Sequence, residues 1–195
     1  MVKTDKLPIT REEALKLIEK YNKDRHDFIH YLESEAIMGA LAKRLGNDEG
    51  YWKMLGLLHD VDWGITKGDS MQHLTKAPEI LKNAGFDEKF IQIILSHGYG
   101  WDCAGLKERI RTEKVEHALA CAETLTGLIH AYGLLRKGLN GMDVKGLKKK
   151  MKDKKFAAGV NREIIIECEK LGLSLDEFLD SSIKAVQSIA KDVGF

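Results

Sequence analysis

The sequence predicts an all-α protein, a single-domain helical bundle spanning residues 1–195. Three observations carry this. Apolar residues recur at helical rather than alternating spacing along most of the chain. Helix-start signals stand ahead of most of those stretches. Only two prolines, Pro8 and Pro78, occur in 195 residues, so long helices are permitted almost everywhere.

Taken in order, Thr10 and Glu13 form a capping box ahead of Ala14, Leu15, Leu17 and Ile18, an amphipathic first helix. A second helix is expected from about Asp24 to Leu45, carrying Phe28, Ile29, Leu32, Ala36 and Leu41, with Gly46-Asn47 as its stop. A third starts near Asp48, carries Trp52, Leu55 and Leu58, and runs into His59-Asp60. Gly64 and Gly68 mark a loop, followed by a short helix around Met71 to Ala84. Asp87 caps a segment with Phe90, Ile91, Ile94 and Leu95 that ends at His97-Gly98, and Thr112 caps a long helix through Leu135. Ile164-Ile165-Ile166 is the one serious β-branched run. Asn161 and Glu163 before it, and Leu171-Gly172 after it, favour a short helix there too. Ser174 and Glu177 box the last helix, which buries Phe178, Leu179, Ile183, Val186 and Ile189.

Composition narrows the function classes. The 31 Lys+Arg nearly balance 30 Asp+Glu, a formal net charge of +1, so no whole-chain positive field attracts long nucleic acids. Hydrophobic residues make up 44% and charged residues 31%, the balance of a globular chain rather than a disordered one. Three cysteines, Cys103, Cys121 and Cys168, form no CxxC pair, which argues against a disulfide framework or zinc ribbon and for a reducing cytoplasm. The opening MVKTDKLPITREEA is too polar for a signal peptide, and no apolar run approaches the roughly 20 residues that span a bilayer. A cytoplasmic protein without membrane partners is expected, its oligomeric state left open.

Chemistry concentrates at the histidines, at 26, 30, 59, 73, 97, 117 and 130. Each alone reads as an ordinary surface or partly buried imidazole. The dipeptide His-Asp occurs twice, and context separates the copies. His26-Asp27 lies among Lys23, Asp24 and Arg25, a solvated face, whereas His59-Asp60 ends the apolar stretch MLGLLHDVDWG. A carboxylate behind Leu57-Leu58 and before Val61 needs a strong partner, and a metal ion supplies one.

His30 in HYLESEAIMGALAKRLG, His59-Asp60 in LLHDVDW, and a distant carboxylate at Glu123 in ALACAETLTGLI form a pattern. It resembles the HD-domain superfamily of metal-dependent phosphohydrolases, in particular the bacterial HDIG-type predicted hydrolases. The downstream KKFAAGVNRE stretch is similar to the same subgroup. The resemblance implies one HD-type domain over 1–195, with a metal-binding core at about 24–130 and a helical extension at about 140–195. It implies His30, His59, Asp60 and Glu123 as ligands of a divalent ion (Mn, Fe, Co, Ni, Zn or Mg). The family pattern usually has Asp where Glu123 stands. His73 in QHLTKAPEIL and His97 in IILSHGYGW match positions that hold a second metal or touch substrate.

A mixed imidazole and carboxylate set leaves such an ion a Lewis acid, able to lower the pKa of bound water from about 15.7 toward about 7. Catalytic duties then fall to His59 and Asp60, the latter bridging two metals or orienting the nucleophile. Asp62 is a general acid or the partner of a ligating histidine. Seven lysines crowd positions 145–155. Such a run commonly marks a solvated helix face, and it also offers a phosphate-binding patch, with Lys148, Lys149, Lys152 and Lys155 as candidates. Trp63, Tyr99 and Trp101 lie in glycine-flanked loops where they can stack a base or close a pocket, while Trp52 and Phe28 are expected in the core.

Three functions fit. The first is metal-dependent hydrolysis of a phosphomonoester or phosphodiester in a small phosphorylated metabolite or nucleotide. The second is an HD-type di-iron oxygenase, and the third a non-catalytic nucleotide-binding regulatory domain. Mixed-valent iron would single out the second, and metal retention without phosphoester turnover the third.

Overall fold

A computed structural model describes residues 6–195. The first five residues of the polar N-terminal stretch lie outside the described part. Among the described residues ten α-helices follow one another: α1 Arg11–Tyr21, α2 Arg25–Leu45, α3 Glu49–Leu58, α4 Trp63–Thr66, α5 Ala77–Asn83, α6 Glu88–Ser96, α7 Lys114–Arg136, α8 Val144–Lys152, α9 Arg162–Ile166 and α10 Leu175–Ser188. Short 3-10 turns occupy Ser70–Gln72 and Glu167–Leu171. No strand occurs among the described residues.

The caps explain most of the boundaries. Thr10 and Ser174 close reciprocal boxes with Glu13 and Glu177, and the side chains of Asp24, Asp48 and Asp87 accept first-turn N–H groups of α2, α3 and α6. Three expectations need correction. The long helix takes Glu113, not Thr112, as its N-cap, because Glu113 closes a box with Glu116. The expected helix from Met71 to Ala84 is confined to α5, with His73 and Leu74 extended or left-handed before it. Pro78 sits in the first turn of α5, where its missing N–H costs nothing. The expected loop at Gly64 begins instead with the single turn α4.

Helices α2 and α7 are the spine of one core. α3 lies along α2, which also receives α7 and α10, and α6, α8, α9 and the Glu167–Leu171 turn pack on α7. By length and composition α7, with a mean hydropathy of 1.3 in its most apolar window, is apolar enough to cross a membrane; 56% of that window is buried within the fold. Glu116, His117, Glu123 and His130 interrupt its apolar run.

The α2–α3 contact sets the distance between the two helices that carry the first histidines. A Cβ on Gly56 would meet the Ser34 carbonyl oxygen at 2.6 Å and the Glu35 nitrogen at 2.9 Å. Helix propensity alone favours alanine over glycine by roughly 0.5–1 kcal/mol. Gly56→Ala is nevertheless expected to destabilise the protein by about 1–3 kcal/mol, as backbone overpacking does, and to weaken metal binding by displacing His59 from His30. Denaturant midpoints and metal titration check both effects; a stabilised variant would show that the contact yields freely.

Candidate metal centre

Four histidines and one aspartate meet where α2, the end of α3, the loop before α5 and the end of α6 converge. His30 Nε2 and His59 Nε2 are 2.9 Å apart, and His73 Nε2 and His97 Nε2 are 3.2 Å apart. Asp60 lies between the pairs. Its Oδ2 is 3.8 Å from His30 Nε2 and 3.6 Å from His59 Nε2; its Oδ1 is 3.3 Å from His73 Nε2 and 3.1 Å from His97 Nε2. Two groups of potential ligand atoms result, His30–His59–Asp60 and Asp60–His73–His97, each within 4.8 Å.

Local structure fixes which ring nitrogen faces inward. His59 Nδ1 donates to the Gly56 carbonyl at 2.8 Å and His97 Nδ1 to the Ile94 carbonyl at 2.7 Å, each the carbonyl three residues earlier. His30 Nδ1 is 2.7 Å from the Thr126 hydroxyl, whose single proton goes to the Glu123 carbonyl at 2.6 Å, so the ring donates there too. With Nδ1 the donor in all three, Nε2 is the atom each ring presents to Asp60, and in the neutral rings of His30 and His59 it is an unprotonated lone pair. Two such lone pairs at 2.9 Å repel unless a cation lies among them. The donor set thus fits a divalent ion with imidazole and carboxylate ligands.

Electrostatics agree. Burial pushes the His59 pKa down to about 3 and that of His30 below its usual value, which keeps both rings neutral. Burial opposes charge on Asp60 as well, but the surrounding imidazoles hold its carboxyl well below the usual range. Burial also disfavours charge on His73, yet the Asp60 and Asp62 carboxylates outweigh it and push its pKa up to about 10. The pocket therefore stabilises positive charge beside Asp60.

The next layer orients these groups. Tyr31 donates from its hydroxyl to the Asp60 carbonyl at 3.3 Å and receives the Asn22 amide at 2.7 Å. Asp62, fully buried, accepts backbone N–H groups of Leu74, Lys76 and Ala77 at 3.3, 3.0 and 3.1 Å, and its Oδ1 lies 3.5 Å from His73 Nδ1. Gly98 admits Leu74 against the end of α6, since a Cβ there would meet Leu74 Cδ1 at 2.5 Å. Arg111 forks onto Glu167 and also donates to the carbonyls of Ser96 and Tyr99, which ties down the turn after His97.

Residues 27–123 match the family model described as HD domain. The chain carries an HD domain. No curated protein and no solved structure matches it. HD domains form a superfamily of metal-dependent hydrolases that bind divalent ions, and the His/Asp groups here can hold a metal.

The HD domain opens its cluster onto a cavity of about 530 Å³ that includes His30, Asp60, His73 and His97 in its wall. Glu123 lines the same cavity from α7 but lies outside the two tight ligand groups; its Oε1 accepts the Thr124 hydroxyl at 2.5 Å. Burial pushes its carboxyl up to about 7, against the pull of His97. The lysines are placed differently from expectation. None of Lys148, Lys149, Lys152 and Lys155 lines this cavity, because α8 buries Leu147 and Met151 against the core and turns its basic face away. Lys148 pairs with Asp176 at 2.6 Å.

Of the aromatics, Trp63 lines the cavity and packs edge-on against His73 at 5.0 Å, and Trp101, half exposed, stands in the wall. Tyr99 is buried under Arg109 instead, while Trp52 and Phe28 pack in the core as expected. His26 is exposed, His117 pairs with Glu167 and His130 with Glu33, all apart from the cluster. Asn161, expected only to favour the start of a short helix, also lines the cavity beside Val160 and Gly159. Its signal was available in the AAGVNRE stretch, where an asparagine caps α9.

Proposed function

We propose that this protein is a metal-dependent phosphohydrolase of the HDIG type, acting on a small phosphorylated metabolite or nucleotide with two divalent ions that share Asp60. The observation that carries the reading is the division of the Asp60 carboxylate, one oxygen toward His30 and His59 and the other toward His73 and His97. Ions held there supply Lewis-acid polarisation of a phosphoryl oxygen and bring the pKa of water toward about 7. The chain's own residues do the rest. His30 and His59 would present neutral Nε2 atoms to one ion, His73 and His97 would present theirs to the other once His73 gives up the proton that Asp60 and Asp62 favour on it, and Asp60 would lie between the two. Glu123 faces them as the carboxylate from α7, the position of the distant ligand in the resemblance. Asp62 acts as the partner that positions His73, a reading its complete burial favours over general acid. Hydrolysis adds water across the ester P–O bond, leaving inorganic phosphate and an alcohol.

Elemental analysis of the purified protein, followed by a phosphoester panel with each divalent ion, tests the proposal. His59→Ala is expected to lose the ion of the His30–His59–Asp60 group and turnover together while the fold persists, read by circular dichroism. A wild-type protein that takes up no divalent ion after reconstitution would overturn the reading. Four imidazoles around a shared carboxylate also suit iron, so mixed-valent iron with oxygen consumption would replace hydrolysis by the oxygenase reading.

A further inference from the structure

The wall of the metal cavity contains no lysine or arginine among the described residues, and three carboxylates, Asp60, Asp102 and Glu123, belong to it. Charge on a substrate beyond its reacting phosphate therefore finds no lysine or arginine there. A second groove of about 450 Å³ adjoins it and has Val160 and Asn161 in common with it. Lys148, Lys152, Lys154 and Arg162 line this groove, with Glu163 as its one acidic residue.

Two of those cations are already committed. Lys148 pairs with Asp176, and the Arg162 guanidinium donates to the carbonyls of Ala157 and Val160 at 2.7 and 2.5 Å and to that of Phe156. The strapped loop holds the chain segment between the two cavities in place. Lys152 and Lys154 are exposed and have no anionic partner among the described residues. Asn161 stands at the divide. Its Oδ1 is occupied by the Glu163 N–H at 3.0 Å, which leaves its amide Nδ2 as a donor.

We propose that the substrate is a phosphate ester carrying a second anionic group, with the reacting phosphate at the histidine cluster, Asn161 Nδ2 at the divide, and the distal anion held by Lys152 and Lys154. The proposal rests on the phosphohydrolase reading and narrows its substrate class. It also gives part of the lysine run a role that the geometry allows, since these side chains reach the neighbouring groove and not the metal cavity.

The test compares substrate pairs: fructose 1,6-bisphosphate against fructose 6-phosphate, and 3-phosphoglycerate against glycerol 3-phosphate. In wild type, the member with the second anion is expected to show the lower KM. The double variant Lys152→Ala/Lys154→Ala is expected to raise that KM about tenfold with kcat unchanged, the signature of lost uniform binding, and to leave the esters with one anionic group within twofold. A phosphate-only effect would specify the distal anion as phosphate, and an effect on both pairs would specify any anion. Equal effects on all four probes, or none, would overturn the proposal. Calorimetric binding of fructose 1,6-bisphosphate in EDTA separates it from the hydrolase reading. Lysine-dependent binding without turnover of any probe would reject hydrolysis and keep the anion groove; turnover with lysine-independent KM and binding would do the reverse. Absence of both turnover and lysine-dependent binding would reject the two together.

Discussion

Asp60→Ala is expected to abolish uptake of both metal ions and to lower kcat/KM by at least on the order of 10³, the scale of losing a principal charge-stabilising group. The reason is its shared position. Each histidine pair has its own Nε2 atoms, but both depend on the same carboxylate for negative charge, one oxygen each. Single histidine variants should behave differently. His73→Ala removes a donor from the Asp60–His73–His97 group only, and His59→Ala from the His30–His59–Asp60 group only. Plasma emission spectrometry after dialysis should give about two ions per chain in wild type, one in His73→Ala and none in Asp60→Ala. An Asp60→Ala protein that keeps one tightly bound ion would show that the carboxylate serves a single group. The fold should survive, because Asp60 contributes its backbone carbonyl, not its side chain, to the bond from Tyr31.

The His-Asp doublet was legible because its chemistry conflicts with its surroundings: a carboxylate inside LLHDVDW has no apolar explanation. The helices were legible for a similar reason, since Thr10–Glu13, Asp87 and Ser174–Glu177 announce their own N-termini through side-chain oxygens near the backbone they cap. What stayed hidden depends on three-dimensional facing. The lysine run was visible, but which cavity it borders follows from Leu147 and Met151 being the buried side of α8. Asn161 reads as a cap in sequence and becomes a cavity residue only because Arg162 folds the 153–160 loop back onto carbonyls. The start of α7 was expected at Thr112, one residue early: Glu116 reaches back to the N–H groups of both Thr112 and Glu113, and only the three-dimensional box between Glu113 and Glu116 marks the cap. Glu123 was found by pattern, yet its distance from the tight groups depends on how α7 lies against the cluster.

Asp62→Ala carries the largest expected cost in stability, about 3–5 kcal/mol, the range for breaking a buried charge interaction by removing one partner. Its carboxylate accepts three backbone N–H groups at the entrance to α5, and no water replaces them at a fully buried site. One of the three belongs to Leu74, a buried non-glycine residue at a φ of 66°. That left-handed conformation costs a β-carbon residue roughly 1–2 kcal/mol, so the loop keeps it only while the Leu74 N–H has its acceptor and its side chain rests on Gly98. His73 is the neighbouring residue. Without Asp62 the loop relaxes, Leu74 leaves the left-handed region, and the His73 ring loses both its electrostatic partner and its place beside His97. Urea denaturation should register the loss of stability, and metal analysis of the folded fraction should show one ion retained at His30–His59–Asp60. Asp62→Asn discriminates further: it keeps the shape and one acceptor oxygen but turns an N–H₂ toward backbone donors, so it should recover part of the stability and little of the second ion. Full recovery of both by asparagine would mean that shape alone holds the loop, and that the negative charge facing His73 Nδ1 has no part in positioning it.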